Sequence, residues 1–362
     1  MRVLALDLGP SRRGGQRQTL LVSEALVRLG ATVGVTTLAG SPLHADVETS
    51  GGRLALYPVR AGSEASPPLL VDVARVARRF RPDVLWAGDS RAHGAAVWSR
   101  LHRRVPLTVH RRVAFPPRLN LLSRIKYAAP RRYFAVSGAV AAELRAAGVP
   151  PDRIRLVPDG LPKEAFVDAP PPPSPPFRLV HAGAFDGKKG QTVAVETLAR
   201  LRASGVDALL VLLGDGPERA AVEDLAVRLG VRAACDFRGE IPAIARDLAA
   251  ANLLLLPSES EGAPLVLAEA MAAGCPCVAN DVGGAAEVLE GGRAGRLVSG
   301  LSPELWASEV TALLRDAPGR EALVAAGRRA ASVRTLEKTA RDLLRELGDV
   351  VAEFRTDRES DG

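Results

Sequence analysis

PSESEGAPLVLAEAMAAGCPCVANDVGG, residues 257–284, carries the pattern on which the fold reading rests. The apolar run NLLLLPS (252–258) reads as a strand ending at Pro257, and a polar loop with Glu259, Glu261 and Gly262 follows. Pro264 stands where a first helical residue would be, and LVLAEAMAA continues as a helix that Gly274 and Pro276 stop. CPCVAND (275–281) is then a second strand. Strand, loop, helix, strand is the repeating unit of a parallel α/β sheet.

The same rhythm extends in both directions. FRLVHAG (177–183), the loop DGKKG and the helix QTVAVETLARLRASG form one unit, and ALLVLLG (208–214), DGP and ERAAVEDLAVRLG form the next. Nearer the N-terminus, VLALDL precedes the glycine loop GPSRRGGQ and the helix TLLVSEALVRLG. DVLWAG (83–88), PLTVH (106–110) and RRYFAVS (131–137) are further strands, and AVAAELRAAG (139–148) is a helix. APPPPSPP (169–176) interrupts the rhythm, because so many prolines favour a stiff extended linker. Two doubly wound domains follow, 1–168 and 177–334, of the ~150–200 residues usual for a domain. The amphipathic stretch 335–354 is expected to be a helix packing back on the first domain, and the polar tail RTDRESDG to fray.

Composition narrows the partners. Aromatics make up 4% of the chain, too few for a single-strand binder built on stacking platforms, and no nucleic-acid module is visible. No apolar run approaches the ~18–20 residues of a membrane span, and Asp7 interrupts the apolar N-terminus where a signal peptide needs an uncharged core. A cytoplasmic chain is the expectation, and three cysteines without a framework fit a reducing compartment. The Cys275–Cys277 pair is read as small residues on a buried strand, since no second Cys or His cluster would complete a metal site.

The chemistry concentrates in the opening segment. Pro264 has no N–H, so Leu265 and Val266 supply the first free donors of the helix. Such donors, with the macrodipole, suit an anion such as a diphosphate. Glu261 lies just before that site and Glu269 about one turn inside it, placed to accept protons from sugar hydroxyls or to be solvated surface glutamates. Lys188 and Lys189 in GAFDGKKG (183–190) are either phosphate ligands or part of a solvated turn. Gly14 and Gly15 allow backbone to approach a ligand closely, or form a merely flexible loop; GPSRRGGQ lacks dinucleotide-fingerprint spacing. His110 ends a strand and so points at the crevice; His44, His93, His102 and His181 have no comparable placement.

Residues 257–284 resemble the family 4 glycosyltransferases of the GT-B fold: PS, two residues, E-G, then E-A-M-A, a residue, G, a residue, P, and later a G-G pair. LLGDGPERA (212–220), FRG (237–239) and GGAAEVLEGGRAGRLV (283–298) extend the resemblance, and VSGAVAAEL with IRLVPDGLPKEAF (154–166) extends it more loosely into the first half. It implies two Rossmann-like domains facing across a cleft and retaining sugar transfer from a nucleoside diphosphate sugar to an acceptor hydroxyl, without metal or other cofactor. It implies that Glu261 contacts the donor sugar, Glu269 the ribose, Lys189 the diphosphate, and Gly15 the diphosphate or sugar, with His110 close to the sugar. Where many members carry a phosphate-binding arginine this chain has Ala184, a position for which Lys188 can substitute. A sugar-nucleotide 2-epimerase and a non-catalytic sugar-nucleotide binder share the architecture.

From Ser90 to Ala142 there is no acidic residue and there are eleven Arg or Lys residues. They form either a solvated basic face or an electropositive surface for an anionic membrane or acceptor, with Arg111, Arg112, Arg118, Arg124 and Lys126 as candidate contacts. An acceptor from the cell envelope, a glycolipid, lipopolysaccharide or polysaccharide precursor, is the expectation.

Overall fold

The computed structural model describes residues 1–114, 120–170, 172 and 174–360. The chain separates into two compact units, residues 1–160 with 336–362, and residues 161–335. The division falls upstream of the proline run 169–176, where the sequence places the linker. The reason is packing: Leu161 and Ala165 are buried in one core with Val180, Leu213 and Leu254 of the second unit.

The first unit alternates strands and helices: β1 (Arg2–Leu6), α1 (Gly14–Arg28), β2 (Thr32–Leu38), α2 (Pro42–Glu48), β3 (Ala55–Val59), α3 (Pro67–Phe80), β4 (Val84–Ala87) and α4 (Ser90–Trp98). β5 (Leu107–Arg111), α5 (Leu121–Ala128), β6 (Arg132–Ala135), α6 (Gly138–Ala146) and β7 (Ile154–Leu156) complete its sheet. The strands are parallel in the order β3-β2-β1-β4-β5-β6-β7. Continuous apolar runs such as β4 are buried along their whole length, as strands covered by helices on both faces must be.

The second unit repeats the plan: β8 (Phe177–Ala182), α7 (Gln191–Ala203), β9 (Ala208–Leu213), α8 (Arg219–Arg228), β10 (Cys235–Gly239), α9 (Ala245–Ala249) and β11 (Leu253–Leu256). α10 (Leu265–Ala272), β12 (Cys277–Asn280), α11 (Ala285–Val288), β13 (Arg296–Val298), α12 (Pro303–Arg315) and α13 (Ala317–Ser332) follow. Its parallel sheet runs β10-β9-β8-β11-β12-β13. In each sheet, therefore, the strand order reverses once, between β1 and β4 and between β8 and β11. Ligands of such sheets bind beyond the strand carboxyl ends at that point.

Two details depart from the sequence reading. Gly14 and Gly15 are the first two residues of α1 rather than part of the preceding loop, and no side chain caps that helix start. The last helix, α14 (Leu336–Ser360), runs through most of the tail expected to fray. α14 belongs to the first unit, where Leu336, Ala340, Leu343 and Leu347 share a core with Val22 and Leu26 of α1. Leu343 is fully buried there. Leu343→Ala is expected to lower the stability of that unit by about 2–5 kcal/mol through the cavity it leaves. Denaturant unfolding checks this; an unchanged midpoint would place α14 outside the core.

Candidate functional site

The reversal between β8 and β11 organises the second unit. The loop after β8 carries Lys189 and the loop after β11 carries Glu261, so the two residues face each other over the switch point. Lys189 Nζ donates to Glu261 Oε1 at 2.8 Å. Glu261 is only 7% exposed, a depth at which an unpaired carboxylate is costly, and the ammonium compensates it.

The backbone around Lys189 is pinned from several sides. His181, fully buried at the end of β8, donates from Nε2 to the Lys189 carbonyl at 2.8 Å. Glu259 N–H donates to the Lys188 carbonyl at 2.9 Å. Gln191 Nε2 donates to the Ala184 carbonyl at 3.0 Å, so a glutamine side chain braces the loop there. Gly190 has φ +73°, and a Cβ there would lie 1.9 Å from the Pro257 carbonyl oxygen. Only glycine lets the two loops approach this closely. Gly283 acts likewise for Glu261: its φ is +53°, and a Cβ would lie 1.9 Å from the Glu261 carbonyl oxygen, which accepts the Gly284 N–H at 3.1 Å.

α10 leaves this cluster directly. Pro264 has extended ψ and is the N-cap, so the helix starts one residue later than the proline position implies, at Leu265. No side chain caps it, so the helix start at Leu265 and Val266 has the free N–H donors that suit an anion. Glu269 is buried on the same helix, 6% exposed. A cation, an uncapped helix start and two buried glutamates thus belong to two adjoining loops and one helix. Together they can bind an anion flanked by hydroxyl groups. Lys188 is exposed beside them.

Gly15 and His110 belong to the first unit. They come together there on a buried arginine. A Cβ on Gly15 would lie 3.5 Å from Arg112 Cδ, and the Arg112 guanidinium is 3.4 Å from His110 Nδ1. His110 Nε2 donates to the Val157 carbonyl at 3.0 Å. Burial, then the charge of Arg112, hold the imidazole well below its ordinary pKa, so it is neutral. Arg112 itself pairs with Asp159 at 3.0 Å, both side chains under a tenth exposed.

That placement corrects the basic-surface expectation. Arg112 points inward, and so does Lys126, which donates to Glu64 at 2.5 Å and to the Ser90 carbonyl at 2.8 Å. Neither can meet a membrane, because a buried charge keeps the partner that compensates it. Arg111 donates to the Tyr127 hydroxyl at 3.2 Å, Arg124 is exposed, and Arg118 lies outside the described residues.

Comparison with known families supplies the remaining observation. Glycosyl transferases group 1 matches residues 162–330, and Glycosyltransferase Family 4 matches residues 12–164. The chain belongs to the family 4 glycosyltransferases. Its fold is that of GT-B enzymes: the Anabaena protein HepE, solved with UDP, superposes with a TM-score of 0.81 at 20% identity, covering 96% of this chain and 100% of that one. Sucrose-phosphate synthase from Thermosynechococcus elongatus also gives 0.81 at 20% identity, covering 98% and 100%. Among curated sequences, the D-inositol 3-phosphate glycosyltransferase of Jonesia denitrificans is 33% identical over 46% of this chain and 41% of its own length. The N-acetyl-alpha-D-glucosaminyl L-malate synthase of Bacillus anthracis is 37% identical over 38% and 36%. The chain thus spans about a third to a half of the curated relatives it matches.

Within this family 4 glycosyltransferase, His181 is the residue that sequence reasoning passed over. A single histidine in an apolar strand forms no pattern; only its contact with the Lys189 carbonyl shows its use. Burial lowers its pKa to about 4, against an ordinary value of 6.5. The folded state therefore takes up that proton later than the unfolded chain does. Its contribution is complete above about pH 6.5 and is lost as pH falls toward 4, by about 3 kcal/mol at the low end. His93, lowered to about 3, adds a loss of the same sign. Denaturant midpoints at pH 7 and pH 4.5 are expected to differ strongly, and less so for His181→Gln; equal slopes for both proteins would remove His181 as a cause.

Proposed function

We propose that this protein transfers a sugar, with retention of configuration, from a nucleoside diphosphate sugar to an acceptor hydroxyl. The observation that carries the reading is the Lys189–Glu261 pair at the β8–β11 reversal, beside the uncapped start of α10. The leaving diphosphate needs positive charge and N–H donors, which Lys189 and the Leu265–Val266 end provide. Glu261 then serves the donor sugar and Glu269 the ribose, each buried carboxylate accepting hydroxyl protons in place of water. Lys188, exposed on the same loop, supplements the charge that Ala184 does not supply. No metal and no resident cofactor enter this scheme, and the diphosphate itself receives the acceptor proton.

Gly15 and His110 enter through the family resemblance, Gly15 as a backbone contact of the donor and His110 near the sugar. The surroundings of His110 support a further task, that of holding Arg112. HepE was solved with UDP and with UDP-glucose, which favours a uridine nucleotide as the first probe. The acceptor we propose is a cell-envelope precursor. A putative colanic acid biosynthesis glycosyltransferase of Salmonella typhimurium is 30% identical over 50% of this chain, and the fold-related WaaG is described as involved in lipopolysaccharide biosynthesis. Among the described residues no helix is long and apolar enough to cross a membrane. Peripheral attachment at the inner face is the matching arrangement.

Uridine, guanosine and adenosine diphosphates are to be compared by thermal shift. A ligand at a hundredfold excess over its Kd stabilises by about 2.7 kcal/mol, enough to raise Tm by several degrees. If none of the three moves Tm at millimolar concentration, the donor-site reading falls.

The two glutamates separate by role. Glu269→Ala is expected to weaken binding of the bare diphosphate at least about tenfold, the loss of a charge-assisted hydrogen-bond pair. Glu261→Ala is expected to leave that affinity nearly unchanged while cutting turnover by about a hundredfold. Calorimetry and a product assay read the contrast; equal losses in both variants would overturn the assignment.

A further inference from the structure

The first unit has its own winding reversal, between β1 and β4, and a carboxyl group stands beyond each of those two strand ends. Asp7 follows β1 directly and is 1% exposed. Asp89 follows β4 and Gly88 and is the N-cap of α4. Each carboxyl is tied to a different helix. Asp89 Oδ1 accepts the Arg91 and Ala92 N–H groups at 2.6 and 3.0 Å, which caps α4, and Oδ2 accepts the Leu8 N–H. Asp7 Oδ1 accepts from Gln16 Nε2 at 3.0 Å and from the Gly9 N–H at 3.2 Å, and the Thr19 hydroxyl donates to Asp7 Oδ2 at 2.7 Å. Gln16 and Thr19 lie at the start of α1, which no side chain caps, and Thr19 Oγ1 is also 3.1 Å from the Gly15 carbonyl oxygen. A Cβ on Gly88 would lie 2.7 Å from Thr19 Oγ1 and 3.0 Å from Asp7 Oδ2, so glycine lets the end of β4 close onto the end of β1. There the two carboxyl groups are hydrogen-bonded to each other.

Such a contact needs a proton. Two carboxylates this close do not both ionise, so the pair keeps one proton between them. Burial, then the charge of Asp7 and the hydrogen bond to it, push Asp89 up to about 7, against an ordinary 3.8. The cations around the pair are engaged with other acceptors. Arg112 donates to the Gly88 carbonyl at 3.3 Å and to Asp159 at 3.0 Å, Arg91 donates to the Leu8 carbonyl at 3.2 Å, and Lys126 is held by Glu64 and Ser90. Arg13 and Arg17 belong to the start of α1. His93 gives its N–H to the Asp89 carbonyl at 3.0 Å, and burial keeps its ring and that of His110 neutral, so neither imidazole titrates near pH 7.

We propose that Asp7 and Asp89 are positioning residues for sugar transfer: by sharing one proton they hold the start of α1, with Gly15, against the start of α4 at the reversal of the first sheet. Loss of the proton leaves two like charges side by side, and one set of ties must give way. Asp89 is held by three backbone N–H groups, whereas Asp7 reaches α1 only through the Gln16 and Thr19 side chains, so α1 is the element that loosens. Transfer then falls as pH rises past neutrality. That consequence rests on the reading of Gly15 as a donor contact; the shared proton does not.

The test is an NMR titration of the full chain, labelled at the aspartate γ-carboxyl carbon, from pH 5 to pH 9. One aspartate is expected to titrate near neutrality in the wild type, and none in Asp89→Asn or Asp7→Asn, where an amide donor of the same shape takes the place of the proton. Protection of the Gly15–Thr19 amides from hydrogen exchange, taken relative to Asp89→Asn at each pH, is expected to fall about tenfold between pH 6 and pH 8, following the protonated fraction. Should Asp89→Asn not fold, Asp89→Ser, which keeps a capping oxygen without the charge, serves as the reference. Hydrolysis of UDP-glucose, GDP-glucose and ADP-glucose is expected to show the same step in kcat in the wild type and no step in Asp89→Asn, whatever its absolute rate. Absence of an aspartate titrating near neutrality in the wild type overturns the proposal, and so does its persistence in Asp89→Asn. Amide protection that keeps pace with Asp89→Asn across the range would leave a shared proton with no positioning role and also overturn it. If none of the three donors is hydrolysed, the donor reading fails, while the titration and the exchange still decide the pair.

Discussion

Everything proposed for the second unit depends on one ion pair with a buried carboxylate at one place in a sheet. Lys189 and Glu261 are distant in sequence but follow β8 and β11, the two strands between which the winding reverses. A reversal sends neighbouring loops apart to opposite faces and leaves a crevice between them. The pair spans that crevice. Glu261 can be buried as a carboxylate because the ammonium is there, and the lysine is held at the crevice because Glu261 and the His181-pinned backbone hold it. In the proposed reaction a diphosphate at the start of α10 would meet a cation already in place, with little reorganisation left to do.

Glycine makes this arrangement possible. Gly190 and Gly283 each accept a carbonyl oxygen where any side chain would collide, and both have positive φ. The consequence is close contact between three loops that would otherwise stand apart: the one after β8, the one after β11 and the one after β12. The Gly-Gly pair of the family motif is therefore explained by the Glu261 backbone it supports. Its role does not require contact with a ligand.

The first unit treats charge in the opposite manner. Its cations are drawn inward into pairs, Arg112 with Asp159 and Lys126 with Glu64, both of which span long sequence separations. The acidic partners lie outside the acid-free stretch 90–142, so that stretch looks uniformly basic when read alone. Counting charges along a chain overestimates the basic surface wherever partners arrive from elsewhere in the fold. In α5, Lys126 is buried while Leu121, Leu122 and Ile125 are exposed, the reverse of what composition alone would assign.

Much of the architecture was legible from periodicity, because strands buried on both faces read as short apolar runs and the helices between them have clear glycine and proline stops. β8, β9 and β11 fall within the runs that announce them, and α10 begins within one residue of its proline signal. The family was readable too, since its motif lies in one stretch of chain, and Glu261, Glu269 and Lys189 could be picked out as candidates because each lies in that motif or in one short loop whose local geometry is set by neighbours in sequence. What only the tertiary structure decided is every feature that joins distant segments. It decided the unit boundary at Gly160–Leu161, set by which core buries Leu161, and the run of α14 through the tail to Ser360. It also decided the pinning of Lys189 by His181 and the inward turn of Arg112 and Lys126. Local pattern reports how a segment can fold, whereas burial and charge pairing depend on which other segment arrives beside it, and that information is spread over the whole chain.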